Sequence, residues 1–337
     1  MEDNMCVELK IVCDCRETFA GKDGNGYSDH FSQTSINFII SKIQELGYSC
    51  VHFGGINELI SLCSTKKSLP NEYFINFSDG LYQKNRRLQA PILLEILDTN
   101  YSGSEPFAIA LANNKSACKK ILASSSIINI PEDVLIDNNN TINIDRLQRL
   151  HYPVIVKPNA EGSSIGITQR SLVLTPDDVI SYYNSPDMSC FDSVLVEKYI
   201  SGYEVTSLII GNNDDHIILP LLIYYNNKCY FDNEIMDIEV KRSRKRDYIH
   251  PNKLLSENCI NNIMQATTEV KRYIGLRDIA RVDFRITKEE EIFFIEVNSN
   301  PVLSGSSELG AICRIYNTSE SQLLSYYVET FLNRVRS

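Results

Sequence analysis

No stretch of this 337-residue chain approaches the run of ~18–20 apolar residues that a membrane-spanning helix requires. The first ten residues, MEDNMCVELK, are acidic and carry nothing like the apolar segment of a signal peptide. None of the ten cysteines forms a CxxC pair, and Cys13 and Cys15 stand too close for a usual pair of zinc ligands. These absences point to a cytoplasmic protein whose cysteines serve as small, reduced core residues. An excess of basic charge is also missing. With 33 Lys and Arg against 43 Asp and Glu, the net charge of -10 argues against a general nucleic-acid binder and leaves room for a local basic site. What is present is ordinary for a globular protein: 43% hydrophobic and 23% charged residues, in a chain long enough for two or three lobes.

Read in order, the chain begins as a parallel α/β unit. Leu9–Cys13 is a short apolar strand, Gln33–Leu46 has helical periodicity through Ile36, Ile39, Ile40 and Ile43, and Tyr48–Phe53 is the next strand. Phe74–Phe77 adds a strand and Leu93–Leu97 a helix. Pro106–Ser124 reads as one helix carrying Lys115, Lys119 and Lys120. After the Asn- and Asp-rich linker Asp137–Thr141, strands are expected at Pro153–Lys157, Ile165–Gln169, Val194–Ile200, Glu204–Ile210 and Ile217–Tyr225. Thr175 caps a helix that starts with Pro176. Met236–Pro251 is a long basic loop, Leu255–Ile274 an amphipathic helix, and Ser321–Arg334 the terminal helix. There is no internal repeat and no low-complexity tract.

The segment ARVDFRITKEEEIFFIEVNSNPVLS reads as a hairpin, with strands Arg281–Ile286 and Ile292–Val297 around the turn Thr287-Lys288-Glu289-Glu290. Strict alternation places Val282, Phe284 and Ile286 on one side and Arg281 and Asp283 on the other. On the return strand it makes Phe293, Ile295 and Val297 the apolar set and puts Glu296 and Asn298 together. Packing then gathers Arg281, Asp283, Glu296 and Asn298 on one face. Two carboxylates and an amide oxygen suit Mg²⁺, and an adjacent arginine suits an anion. Taken alone, the quartet fits an ordinary exposed hairpin face equally well.

Two more segments carry chemistry. In Pro153–Gly166 a lysine closes a strand and a Gly/Ser loop follows, whose N–H groups and hydroxyls could wrap phosphate oxygens. It lacks the GxxxxGK[ST] pattern and fits a polar turn as well. In Val194–Glu204 an apolar strand ends in Glu197, with Glu204 beyond a turn. Such carboxylates could take an exocyclic amine and a ribose, although a solvated strand end explains them too.

In this order and spacing, VIVKPNAEGSSIG, VLVEKYISGYE and ARVDF with IEVNSNP resemble the ATP-grasp superfamily, and within it the D-alanine–D-alanine ligases and their relatives. The resemblance covers most of Lys115–Ser307 and extends more weakly to the first lobe. It implies an α/β ATP-grasp fold with an N-terminal parallel α/β lobe (1–104), a central lobe (105–199) and a C-terminal antiparallel-sheet lobe (200–337). It implies phosphate contacts from Lys115, Lys157 and Lys241, and a closing loop at Ser163 and Ser164. Adenine would lie against Glu197 and the Lys198 and Ile200 backbone, with ribose on Glu204. Asp283, Glu296 and Asn298 would hold two Mg²⁺ ions, with Mn²⁺ an acceptable substitute, and Arg281 would stabilise an oxyanion. Catalysis would then rest on Arg281, Ser163 and Lys241.

The chain departs from this family on the substrate side. The mobile-loop tyrosine is Arg242, followed by Arg244, Lys245 and Arg246, and Arg242 is expected to contact a substrate more negatively charged than D-alanine. The Gly-Gly-x-Ser-x-Glu start is absent, which leaves Asp29 as the nearest candidate for binding a substrate ammonium. Ser78-Asp79-Gly80 stands in place of His-Gly, and Pro301-Val302 in place of Pro-Gly. Ser307 matches the serine that binds the acceptor carboxylate, with Glu308 in place of a leucine. The resulting expectation is an ADP-forming carboxylate–amine ligase for amino acids or dipeptides of a specialised pathway. A D-alanine–D-alanine ligase of peptidoglycan synthesis is the alternative, and a non-catalytic nucleotide-binding protein a second one. Its partners would be small amino-acid or peptide substrates, without nucleic acid or membrane, and the chain is compatible with a homodimer.

Overall fold

Strand β1 (Glu8–Val12) lies at the centre of a parallel sheet with β2 (Ser49–Gly54), β3 (Tyr73–Asn76) and β4 (Asn100–Tyr101), in the order β2-β1-β3-β4. The computed structural model describes residues 7–19, 30–65, 67–81, 85–137, 142–162, 164–237, 246–301, 303 and 307–336. Helix α1 (Gln33–Glu45) connects the first two strands, as the periodicity predicts. Ser32 caps it by accepting the Ser35 N–H, and Ile36, Ile39 and Ile43 are buried. Helix α2 (Ile56–Cys63), which the sequence reading passed over, starts where the buried Asp14 carboxylate accepts the Ile56 N–H at 3.0 Å. Helix α3 (Gln89–Ile96) precedes β4.

The segment expected to be one helix from Pro106 to Ser124 is two. Helix α4 (Pro106–Asn113) stops, and α5 (Lys115–Leu122) begins after Asn114, whose backbone is extended and whose side chain accepts the Ala117 N–H. Asparagine competes for backbone hydrogen bonds and so favours caps over helix interiors. The break redirects Lys115 and Lys119, both of which are buried.

The central sheet contains β5 (Asp133–Asp137), β6 (Val154–Pro158), β7 (Leu172–Val173) and β8 (Ser193–Lys198), in the antiparallel order β5-β8-β6-β7. The expected strand Ile165–Gln169 does not form. Ser164 and Gly166 have positive φ, and a Cβ on Gly166 would stand 2.6 Å from Pro158. The turn there delays the pairing until Leu172. Helix α6 (Ile144–Gln148) leads into β6, and α7 (Pro176–Tyr183), capped by Thr175 as expected, covers one face. Val154, Val156, Val194 and Val196 point into that core with Val179 and Tyr182. Alternation sends Lys157 and Glu197 to the opposite face.

The largest sheet runs β12-β10-β9-β13-β14, with β11 paired to β9. Its strands are β9 (Gly202–Asn212), β10 (Asp215–Tyr224), β11 (Tyr230–Phe231), β12 (Asp247–Ile249), β13 (Ile279–Ile286) and β14 (Ile292–Asn298). Strand β12 lies within the segment expected to be all loop. Helix α8 (Glu257–Ile274), capped by Ser256 and closed by Gly275 at φ 79°, covers one face. Val205, Ile209, Ala280, Val282 and Phe284 meet it, while Leu208, Ile210 and Ile279 enter the core on the other side. Helices α9 (Ser307–Tyr316) and α10 (Glu320–Arg336) complete that second core. No helix among the described residues is long and apolar enough to cross a membrane.

Candidate active site

The hairpin pairs Arg281 with Asn298 and Asp283 with Glu296, so the expected quartet shares one face. Beyond it a β-bulge between Asp283 and Phe284 shifts the register, and Phe284 faces Phe294. The buried set on β14 is therefore Ile292, Phe294 and Val297. Phe293 and Ile295, which alternation assigned to the core, are only half-buried. The extra residue flips the strand once, which keeps the polar face near Glu296 while re-aiming what precedes it.

Asp283 is held from two sides. Arg281 donates to it from Nε at 3.2 Å and Nη2 at 3.1 Å, and Thr206 Oγ1 donates at 2.7 Å. Burial opposes the Arg281 charge, but Asp283, Glu308 and Glu296 outweigh it and leave the guanidinium firmly protonated. Lys115 reaches the same face from α5. Its ammonium donates to the Glu161 carbonyl and stands 3.5 Å from a Glu296 oxygen. Burial pushes the Lys115 amine down, with Glu296 opposing. The loop after β6 is stitched to the start of α5: Asn159 accepts the Ser116 N–H at 2.9 Å and donates to Asn114 at 3.0 Å.

Deeper in the cleft Glu197, 2% exposed, lies between two lysines. Lys157 donates to one oxygen at 2.6 Å, and Lys119 donates to the other. Burial alone would raise the Glu197 carboxyl, but the two ammonium groups hold it below the usual carboxylate range. Lys119 received no role from the sequence. Its position four residues after Lys115 on one helix was the available signal, since such pairs share a face. Glu204 accepts from Arg285 Nη2 at 2.8 Å. Arg285 also donates to the Ile200 carbonyl at 3.4 Å and packs on Tyr199 and Phe231, 5.3 and 5.6 Å from the ring centres. Arg285 is the second residue that sequence reasoning passed over, because alternation offered no reason to bury an arginine there.

The structure thus gathers Lys115, Lys157, Glu197, Arg281, Asp283, Glu296 and Asn298 around one cleft, with Glu204 and Ile200 joined through Arg285. Ser164 bonds the Met236 carbonyl at 2.9 Å, and the Lys198 N–H bonds Glu132. Ser307 opens α9, and its neighbour Glu308 sits 3.3 Å from Arg246. Asp29, Ser163, Lys241 and Arg242, together with Arg244 and Lys245, lie outside the described residues. The oxygens of Asp283, Glu296 and Asn298 form a hard donor set beside a lysine, and this fits Mg²⁺ with phosphate. Thiolate or imidazole ligands are absent from the quartet, so a softer metal is disfavoured.

Comparison with known proteins agrees with this geometry. The family model for the D-ala D-ala ligase C-terminus matches residues 125–329, more than half of the chain. The D-alanine–D-alanine ligase of Petrotoga mobilis is 28% identical over 312 residues, 93% of this chain and 97% of that protein. The one from Geobacter sulfurreducens is 31% identical over 234 residues, 69% of this chain and 68% of that protein. Among solved structures, the Bacillus anthracis D-alanine–D-alanine ligase complexed with ATP superposes with a TM-score of 0.74 at 21% identity, covering 98% and 99% of the two chains. The VanG D-Ala:D-Ser ligase of Enterococcus faecalis gives 0.70 at 16% identity, covering 96% and 99%. At these identities the two structures establish the fold: three sheets in the ATP-grasp arrangement.

Proposed function

The chain belongs to the D-alanine–D-alanine ligase family of ATP-grasp enzymes, and from that premise we propose that it joins two D-alanine molecules at the expense of ATP, releasing ADP and phosphate. The near-full-length likeness to the Petrotoga mobilis ligase favours this substrate over the specialised pathway expected from the altered substrate residues. The observation that carries the reading is the convergence of Lys115, Lys157 and the Asp283–Glu296–Asn298 face on a single cleft. The lobes serving this reaction are taken as 1–104, 105–199 and 200–337, which accords with one sheet in each.

A carboxylate is a poor electrophile, so the first D-alanine must be activated as an acylphosphate before an amine can displace phosphate. In this reading Lys115 and Lys157 neutralise the phosphate oxygens, and Glu197 holds the Lys157 ammonium in place beside them. Glu197 and the Ile200 backbone frame the adenine, and Glu204, oriented by Arg285, meets the ribose. Asp283, Glu296 and Asn298 would hold Mg²⁺, which would supply charge neutralisation of the migrating phosphoryl group. Arg281, fixed by Asp283, stabilises the oxyanion formed when the second amine attacks. Ser307 at the start of α9 lies on the acceptor side.

Incubation with ATP, Mg²⁺ and D-alanine tests this. The expected products are ADP, phosphate and the D-alanyl dipeptide. Release of AMP and pyrophosphate, or ADP release with other amino acids but none with D-alanine, refutes it.

A further inference from the structure

The segment after β3 is built to bring two arginines against the loop that follows β6. Gly80 has φ +75°, and a Cβ there would stand 1.9 Å from the Arg86 carbonyl oxygen, so only glycine lets residues 85–88 close in. Gln89 locks the turn by accepting the Leu81 N–H at 2.7 Å and donating to its carbonyl at 2.8 Å. Arg86 Nη1 then lies 3.5 Å from Glu161. Arg87 donates from Nε to Asp79 at 2.8 Å, and its Nη1 comes within 3.4 Å of where a Gly162 side chain would start. Arg87 also lines a cleft with Asn76, Ser78, Ser104, Ser299 and Asn300. Ser299 and Asn300 directly follow Asn298 at the end of β14.

Arg87 therefore stands between the Gly/Ser loop and the strand that carries the metal-binding face. A carboxylate that attacks the terminal phosphate of ATP must be brought toward another anion, and a fixed cation at that meeting point lowers the repulsion. A guanidinium whose plane is set by a carboxylate on its Nε edge is suited to a carboxylate partner. Resting on the ligase reading above, we infer that Arg87 is the donor-carboxylate anchor, the N-terminal lobe's contribution to substrate binding. It holds the carboxylate of the first D-alanine while one of its oxygens forms the new O–P bond. The bond from the bridging oxygen of ADP to the terminal phosphorus breaks, and ADP leaves with that electron pair. Arg87 remains protonated throughout and transfers no proton.

The test compares Arg87→Ala, Arg87→Lys and Arg86→Ala with the wild-type protein. The apparent KM of the donor D-alanine should rise by about tenfold or more in Arg87→Ala, with partial recovery in Arg87→Lys. The KM values of ATP and of the acceptor should stay within about twofold, and Arg86→Ala should resemble wild type. Calorimetric titration of D-alanine into protein holding Mg²⁺ and a non-hydrolysable ATP analogue should show the same loss without turnover. An unchanged donor KM and D-alanine affinity in Arg87→Ala overturns the anchor alone. Equal weakening of ATP, or an equal donor effect in Arg86→Ala, overturns it in favour of a latch between lobes. Wild-type protein that releases no ADP with D-alanine overturns the ligase reading, and the anchor with it.

Discussion

Two buried carboxylates, Glu197 and Asp278, are both held by cations and serve different ends. Glu197 sits between the ammonium groups of Lys119 and Lys157 on the cleft face of the central sheet. Asp278, fully buried, takes the Arg334 fork at 2.8 Å on each oxygen, together with the Asn212 amide and the Gly103 N–H at 2.8 Å. Arg334 also donates to the Tyr101 carbonyl. The second cluster thereby joins β4, the end of β9, the start of β13 and α10. A planar guanidinium fixes geometry through two parallel hydrogen bonds, whereas an ammonium is a point charge with rotatable donors that can turn to a phosphate. Of these two clusters, the arginine one ties distant elements together and the lysine one faces the cleft.

Breaking the scaffold member should have the largest effect. Asp278→Ala removes the carboxylate that neutralises Arg334, and about 3–5 kcal/mol of stability should be lost. Urea unfolding should show it, while the protein that remains folded binds ATP as wild type does. A normal unfolding midpoint would erase the distinction between the clusters.

Glu296→Gln acts on the other side. Turnover should fall about a hundredfold, roughly 2.7 kcal/mol of barrier, because the carboxylate charge proposed to hold Mg²⁺ is gone. The unfolding midpoint should hold. Near-normal turnover at low Mg²⁺ would remove Glu296 from the metal face.

Lys157→Met sharpens the contrast further. ATP affinity should weaken by about tenfold, near 1.4 kcal/mol, as measured by calorimetry. If only stability changed, Lys157 would belong with the scaffold residues.

The last effect concerns pH. Burial pushes the Lys271 amine down to about 8 from 10.5, Asp278 opposing and Arg334 adding to the shift. Between those values the unfolded chain binds more protons, so this group's contribution makes stability rise with pH across the window. Relative to Lys271→Met, wild-type stability should gain roughly 1 kcal/mol per pH unit there. Parallel curves for the two proteins would show that Lys271 titrates normally.

Much of the candidate site was legible because it is local. Alternation along β13 was enough to bring Arg281 and Asp283 to one side, and the return through Glu296 and Asn298 followed from the short polar turn. Alternation held along β13 but failed on β14 at Phe293 and Ile295, because a bulge inserts one residue and no residue type announces it. The helix from Pro106 failed at Asn114 because apolar periodicity continues across the break, while the cap is decided by one side chain. The Ile165–Gln169 strand failed because the close approach of Pro158 and Phe191 to Gly166 is a property of the folded sheet.

By itself the sequence determined most of the longer strands and helices, the oxygen-rich hairpin face and the family resemblance, because hydrophobic period and short motifs act within a few residues. The tertiary structure decided which charges share a burial site. Lys119 and Lys157 are 78 and 40 residues from Glu197, and Arg334 is 56 from Asp278. Each is an ordinary charged residue in the chain. It becomes a partner only when packed strands and helices exclude the water between them, since a buried charge must find its opposite within a few ångströms or not be buried at all.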